Sequence, residues 1–240
     1  RGFGVPLAMI GVFCLLVLVE PDFGTCALYG AVGVILLYLA GTRITYLIPT
    51  VISGSTLFLY LIFQNEERLR RLLEFLDVEG NKNAGTYQLY QGKIAFGSGG
   101  IMGVGAGNGR FQNDYLPEAH TDFIFSIIGE EFGFMVTCLV VILFLVIFCT
   151  VVFSMRRAPN LFQGLLVLGS LLMIIMQALI NMCVVTGLLP TKGMSLPFIS
   201  YGGSNLVVMC VFTGLLINCL RSWENLPIRR ERRKLVEITG

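Results

Sequence analysis

Acidic side chains and the only histidine of the chain gather around the start of its longest apolar run. Glu118, His120 and Asp122 come directly before the run, and Glu130 and Glu131 lie inside it. Ionisable groups at membrane depth cost free energy, so they mark functional sites by default. Asp122 is therefore an ordinary helix N-cap, for which Asp is a preferred residue, or part of such a functional site, and the two roles can coexist.

The composition is that of an integral membrane protein. Hydrophobic residues make up 55% of the 240 residues and charged residues only 13%, about half the charged fraction of a soluble domain. The apolar runs approach the roughly 20 residues that a helix needs to cross a bilayer. They cover residues 3–19, 23–40, 44–63, 123–153, 162–189 and 203–220. Because only helices or closed barrels pair their backbone groups in lipid and no run alternates polar with apolar residues, we predict an all-α, polytopic transmembrane helical bundle of about six spans.

The spans form two groups of three, separated by a long loop. Residues 1–63 hold the first three spans, residues 64–122 form an extracytoplasmic loop, and residues 123–220 hold the last three spans, with an outer loop at 190–202. Residues 221–240 form a basic tail. Because basic residues favour the cytoplasmic side, the tail places the C-terminus inside and both loops outside.

The long loop contains an amphipathic segment and a glycine-rich segment. Residues 64–80, QNEERLRRLLEFLDVEG, place leucines at helical spacing among charges, which is typical of a helix that lies on the membrane surface or packs against the protein. Residues 97–109 contain seven glycines in thirteen residues, but no register fits GxGxxG, so nucleotide binding is not expected. No nucleic acid is expected among the partners. Glycines here would permit a re-entrant path or a close approach of substrate.

The charges near the apolar runs lie on the predicted outer half of the bundle. Glu20 and Asp22 follow the first span, Asp114 and Asp122 precede the fourth, and Lys192 lies in the outer loop. The inner halves of the spans offer almost no ionisable groups, so a site that opens at the outer leaflet fits better than a path across the membrane. Lys192 is either an interfacial anchor or a cation for an anionic substrate group.

Five stretches of the chain resemble the SEDS family of bacterial membrane glycosyltransferases, whose members include FtsW, RodA and SpoVE. They are EPDFGT at 20–25, RLRRLLEFLD at 68–77, YQLYQGKIAFGSGGIMGVGAGNG at 87–109, YLPEAHTDFIFSIIGEEFGF at 115–134 and GLLPTKGMSLPFISYGGSN at 187–205. The PEAH sequence favours the division enzymes of the family over the elongation enzymes. Family members have ten helices, and this chain resembles helices five to ten. Because it begins with Arg1 rather than Met, we expect a piece of a longer protein.

The resemblance implies an activity and roles for particular residues. The family polymerises lipid II, a disaccharide-pentapeptide on undecaprenyl pyrophosphate, into glycan strands at the outer face of the cytoplasmic membrane. The family's essential aspartate matches Asp122, which we expect to be the general base. Asp114, His120 and Ser200 would line the substrate site, and Lys192 would face the phosphates. Glu130 and Glu131 would be structural, pairing with Lys192 or with backbone groups.

The resemblance also implies partners, a location and a role for a metal. We expect a class B penicillin-binding protein and other division proteins as partners, in the bacterial cytoplasmic membrane at the division septum. The seven cysteines lie singly in the apolar runs, so no structural metal is expected, and the sequence requires no cofactor. A divalent cation, Mg or Mn, can still bridge a carboxylate and the substrate pyrophosphate.

Two other functions fit part of the pattern. A transporter that flips a lipid-linked precursor would also use broken, glycine-rich segments and intramembrane carboxylates, although the one-sided charges argue against it. A non-catalytic scaffold for division proteins would depend on surface helix faces rather than on Asp122.

Overall fold

The computed structural model describes residues 2–20, 22–76, 84–111 and 120–224, and these residues form helices and connecting loops. The helices are α1 (Gly4–Val19), α2 (Phe23–Leu39), α3 (Ile44–Phe63), α4 (Glu66–Leu76), α5 (Ala84–Ser98), α6 (Ile124–Ser154), α7 (Leu161–Val185) and α8 (Gly203–Glu224). A short 3-10 turn, Met155–Arg157, follows α6. The prediction of an all-α, polytopic helical protein is confirmed.

Six of the helices correspond to the six predicted spans. α3, α6, α7 and α8 are long and apolar enough to cross a membrane. α1 and α2 are also apolar, but they contain only 16 and 17 residues, fewer than the ~20 that cross a bilayer at right angles. Their assignment as spans stays a prediction. The basic cytoplasmic tail also stays a prediction, because residues 225–240 lie outside the described part of the chain.

α4 is the amphipathic helix that the sequence predicts within the long loop. Asn65 precedes it, and its Oδ1 accepts hydrogen bonds from Glu67 N at 3.1 Å and Arg68 N at 3.4 Å. The Arg68 guanidinium carbon lies 3.5 Å from the centroid of the Phe23 ring, and Arg68 Nη1 donates to Leu61 O at 3.1 Å. These contacts pack α4 against the start of α2 and the end of α3, so the helix lies on the protein itself.

α6 is broken at Gly133, about a third of the way along its length. The φ of 76° and ψ of −174° at this residue belong to a region that essentially only glycine adopts. A break leaves backbone N–H and C=O groups without intrahelical partners, and each unpaired group in lipid costs several kcal/mol. The break therefore requires hydrogen-bonding partners from elsewhere in the chain.

The glycine-rich segment supplies those partners. Its backbone runs beside the break and exchanges hydrogen bonds with both sides of it. The bonds run from Val104 N to Glu130 O at 2.9 Å, from Gly105 N to Glu131 O at 2.9 Å, from Phe134 N to Gly100 O at 2.9 Å and from Met135 N to Ile101 O at 3.4 Å. A Cβ on Gly99 would collide with Gly129 O, so glycine permits this contact. The close approach that the glycines allow is an approach to the protein's own helix.

The hydrophobic core lies between α6, α7 and α8, and a smaller cluster joins α2 to α7. The larger core contains Ile127, Phe144, Leu171, Ile174 and Met209. The smaller cluster contains Leu28 and Val32 of α2 and Met194 of the loop 186–202, hereafter the α7–α8 loop. This second cluster brings the start of α2 close to the α7–α8 loop, which matters for the charged residues described below.

Replacing Gly133 by Ala is expected to destabilise the fold. The backbone conformation alone would cost ~1–3 kcal/mol, and the new Cβ would lie 2.5 Å from Ile101 O and would also collide with Gly103 N. Thermal melting in detergent should show a fall in Tm of several degrees. Gly54→Ala in α3 is the matched control, because nothing lies within 4 Å of its Cβ position. Equal melting temperatures for the two variants would contradict this account of the break.

Candidate functional site

The segment before α6 and the α7–α8 loop are joined to each other by hydrogen bonds. Ser200 Oγ donates to Thr121 O at 2.6 Å and accepts from Leu196 N at 2.6 Å. Tyr201 N donates to His120 O at 3.0 Å. These bonds fix the backbone on the N-terminal side of Asp122. The hydroxyl hydrogen of Ser200 is already used, so the predicted contact of Ser200 with substrate would have to use its oxygen as an acceptor.

Asn181 of α7 holds the same two segments from inside the bundle. It is only 2% exposed, and its Nδ2 donates to Asp122 O at 2.8 Å and to Met194 O at 2.5 Å. A buried polar side chain in an apolar helix requires partners, and Asn181 finds them on both segments at once. The position of Asp122 relative to the loop is therefore set by a side chain of a third element.

Gln177 lies one turn before Asn181 on α7 and supports the loop in the same manner. Its Nε2 donates to Ser195 O and to Asn205 Oδ1, both at 2.9 Å. The bond to Asn205 also connects the loop to the first turn of α8. Together the two amides of α7 attach the middle and the end of the α7–α8 loop to the bundle.

The carboxylate of Asp122 faces the backbone of the α7–α8 loop. α6 begins at Ile124 with Phe123 in the N-cap position, so Asp122 lies one residue before the cap. A Cβ on Gly193 would be 3.1 Å from Asp122 Oδ2, which places the loop backbone directly against the carboxylate. Because Lys192 precedes Gly193, the structure brings the predicted base and the predicted phosphate-binding cation into the same part of the protein.

Lys192 carries a buried ammonium group. Its Nζ lies 3.7 Å from Asp22 Oδ1, and the Lys192 side chain is 22% exposed. Within the described part of the chain, Nζ makes no hydrogen bond, because the distance to Asp22 is an ion-pair distance rather than a hydrogen-bond distance. Burial lowers the pKa of Lys192, and the nearby Asp22 carboxylate opposes that shift.

Lys192 and Asp22 line an open cleft of about 830 Å³ between the ends of α2, α3, α4 and α7. Its apolar lining residues include Phe58, Ile62, Ile180, Val184 and Leu189. Its charged lining residues are the cations Arg68, Arg71 and Lys192 and the anions Glu20, Asp22 and Glu67. A cleft lined by both kinds of residue suits an amphiphilic ligand that has a charged head and an apolar chain.

Glu130 has a structural role in the described residues. It is 2% exposed, and its carboxylate accepts hydrogen bonds from Arg110 N at 2.7 Å and from Phe111 N at 3.4 Å. The prediction that it pairs with backbone groups is confirmed. The ion pair that the structure shows for Lys192 is with Asp22 and involves neither Glu130 nor Glu131.

Some of the predicted site residues are not placed by the structure. Asp114 lies outside the described residues, as does Glu118. His120 is described and exposed, with its backbone oxygen bonded to the loop. Within residues 2–20, 22–76, 84–111 and 120–224, no three His, Cys, Asp or Glu side chains could together hold a metal ion. A divalent cation shared with the substrate pyrophosphate stays a prediction.

The sequence contained a signal for two residues that the predictions missed. Gln177 and Asn181 are two amides spaced i and i+4 within an apolar run, and that spacing puts both on one face of a helix. The pairing of Asp22 with Lys192 had no comparable signal, because 170 positions separate the two residues in the chain.

The chain is similar to proteins of known family. The sequence model of the cell cycle protein family named for FtsW, RodA and SpoVE matches residues 1–225. The chain is 38% identical over 217 residues to a probable peptidoglycan glycosyltransferase FtsW of Trichlorobacter lovleyi, covering 90% of this chain and 57% of the relative. It is 39% identical over 230 residues to a protein of the same name in Coxiella burnetii, covering 94% of this chain and 61% of the relative. The chain thus spans about three fifths of the length of these relatives.

A solved structure has the same fold. It superposes with a TM-score of 0.74 at 22% sequence identity, covering 92% of this chain and 62% of the other. That structure is described as showing the structural coordination of polymerization and crosslinking by a peptidoglycan synthase complex. At this identity the likeness supports the helical fold alone.

Replacing Asn181 by Leu is expected to loosen the attachment of Asp122. The change leaves the backbone oxygens of Asp122 and Met194 without their donor, at a cost of ~1–3 kcal/mol for the buried Met194 oxygen and less for the partly buried Asp122 oxygen. Tm should fall, and the α7–α8 loop should become more sensitive to protease. Thr186→Val is the control, because the Thr186 hydroxyl bonds only to carbonyls of its own helix. A loop equally resistant in both variants would contradict the role of Asn181.

Proposed function

The chain belongs to the cell cycle protein family of FtsW, RodA and SpoVE, and from this we propose that it carries the active site of a peptidoglycan glycosyltransferase. The enzyme would polymerise lipid II into glycan strands at the outer face of the cytoplasmic membrane during cell division. The observation that carries the proposal is the placement of the Asp122 carboxylate against Gly193, next to Lys192. The candidate base thus contacts the loop that carries the candidate phosphate-binding cation.

The reaction requires a base and a group that stabilises the leaving phosphates. A hydroxyl oxygen of the acceptor sugar bonds to the anomeric carbon of the donor, while the bond from that carbon to the pyrophosphate oxygen breaks. The hydroxyl proton passes to the Asp122 carboxylate. The electron pair of the broken bond leaves with undecaprenyl pyrophosphate, whose negative charge the Lys192 ammonium stabilises.

The shape and charge of the cleft support a lipid-linked pyrophosphate as its ligand. Lys192, Arg68 and Arg71 offer positive charge in the lining of the cleft, and its apolar lining residues offer a surface for an isoprenoid chain. His120, Ser200 and Asp114 would line the sugar side of the site. A divalent cation bound between the pyrophosphate and a carboxylate would supply further charge neutralisation.

The proposal also includes the orientation of the protein in the membrane, its partners and its location in the cell. The cleft and Asp122 lie at one end of the bundle, which would face the outside of a bacterial cytoplasmic membrane with the C-terminus in the cytoplasm. A class B penicillin-binding protein and other division proteins would be partners at the septum. The solved structure of similar fold is described as a peptidoglycan synthase complex, and the partner proposed here is by analogy with it.

Replacing Asp122 by Asn should abolish polymerisation without unfolding the protein. Loss of a general base typically reduces the rate by ~100-fold or more. The measurement is the formation of glycan strands from labelled lipid II by the complete polypeptide as the cell makes it, purified with its partner. Glu66→Gln is the control, because Glu66 is an exposed carboxylate in the first turn of α4. Normal polymerisation by Asp122→Asn would contradict the proposal, and transport of lipid II without polymerisation would favour a flippase.

Replacing Lys192 by Met should reduce the polymerisation of lipid II without lowering the melting temperature of the protein. Since burial lowers the pKa of Lys192, the unfolded chain binds this proton more tightly than the folded protein does. The charged side chain therefore reduces stability below its folded-state pKa, and the effect disappears as the pH rises towards the ordinary lysine value. Lys192→Met should melt at the same or a higher temperature at neutral pH while polymerising far less. A large fall in Tm would show instead that Lys192 is mainly structural.

A further inference from the structure

The first turn of α2 holds Lys192 by two separate contacts. One is the ion pair between Lys192 Nζ and Asp22 Oδ1, at 3.7 Å. The other is a packing contact, because the end of the Lys192 side chain lies directly over the α-carbon of Gly24. A Cβ on Gly24 would collide with Cδ, Cε and Nζ of Lys192. Both contacts come from the EPDFGT stretch at residues 20–25. The proposed mechanism gives most residues of this stretch no role.

Asp22 is itself fixed in place. Its Oδ1 accepts a hydrogen bond from Thr25 N at 3.1 Å, and its Oδ2 accepts one from Thr25 Oγ1 at 2.5 Å. Asp22 is therefore the N-cap of α2. Burial alone would raise the pKa of Asp22, but the bonds from Thr25 and the charge of Lys192 together lower it. The carboxylate is thus charged and held at a defined point beside the cleft.

We propose that Asp22 is a positioning residue for Lys192, which holds the ammonium group over Gly24 beside the cleft. This inference rests on the proposed function, because it assumes that Lys192 meets the phosphates of the substrate. Without a fixed partner a lysine side chain would extend to water, where its charge is solvated and its rotamers are free. Asp22 and Gly24 together keep the ammonium inside the protein and next to the loop that covers Asp122.

The charge of Asp22 also determines how readily Lys192 keeps its proton. Within the described part of the chain, the charged or titratable groups around it are Asp22, Cys26, Glu20, Glu67, Arg68 and Arg71, with Asp122 beyond Gly193. Burial disfavours a charged ammonium, and the Asp22 carboxylate favours it. Asp22 lies at ion-pair distance, so its loss should make Lys192 easier to deprotonate.

The test uses Asp22→Asn, which removes the charge and keeps a side-chain oxygen that caps α2 about as well. The first readout is independent of catalysis: the pH dependence of the reaction of Lys192 with an amine-acylating reagent, followed by mass spectrometry. The midpoint should fall by on the order of one pH unit in Asp22→Asn. The second readout is the kinetics of lipid II polymerisation, in which KM should rise several-fold and kcat should change less. Asp22→Glu keeps the charge and should restore both.

A second variant tests the packing contact without changing any charge. Gly24→Ala should displace the end of Lys192 and raise KM, with Tm nearly unchanged because the displaced atoms belong to a flexible side chain. Gly30→Ala is the matched control on the same helix, since nothing lies within 4 Å of its Cβ position. An equal KM in these two variants would overturn the role given to Gly24.

The results separate this proposal from the proposed function. An unchanged midpoint and an unchanged KM in Asp22→Asn would overturn the positioning role of Asp22. So would a KM that rises in Lys192→Gln but stays at the wild-type value in Asp22→Asn. A shifted midpoint in Asp22→Asn together with a wild-type KM in Lys192→Gln would instead overturn the phosphate-binding role of Lys192.

Discussion

The need to pair every backbone polar group at membrane depth determines the architecture around the site. α6 is broken at Gly133, and water cannot satisfy the groups that a break exposes in lipid. The glycine-rich segment does so, because residues without side chains let one backbone lie against another. The same requirement applies to the α7–α8 loop, whose carbonyl groups are bonded by the amides of Gln177 and Asn181. Both irregular segments therefore have defined positions.

These two segments position the residues that would carry out the reaction. Asp122 comes to the loop because Asn181 binds its backbone oxygen, and Lys192 reaches the cleft because α2 packs close to the same loop. The two residues that would do opposite electrostatic work, one accepting a proton and one stabilising phosphate, are thus positioned by two different helices, α7 and α2. Such a site is sensitive to small displacements of its side chains. Gly24 of α2 therefore affects the site, because it packs against Lys192.

The sequence predicted the helices well and the contacts between distant segments poorly. Apolar runs of nearly bilayer length define helices without any knowledge of their neighbours, and the amphipathic pattern of α4 was equally local. The glycine-rich segment was recognised as special, but its partner was not, because pairing with the break at Gly133 depends on the fold. The ion pair of Asp22 and Lys192 was missed for the same reason. Asp122 was identified by resemblance, whereas the hydrogen bonds that hold it appear only in three dimensions.

An electron cryomicroscopy structure of the protein with lipid II bound would show directly whether Asp122 and Lys192 act on the substrate. We expect the pyrophosphate to lie within about 4 Å of Lys192 Nζ, an ion-pair distance, and a sugar hydroxyl to lie within hydrogen-bond distance of the Asp122 carboxylate. A substrate bound elsewhere on the bundle, with Asp122 and Lys192 facing only protein and water, would contradict this expectation.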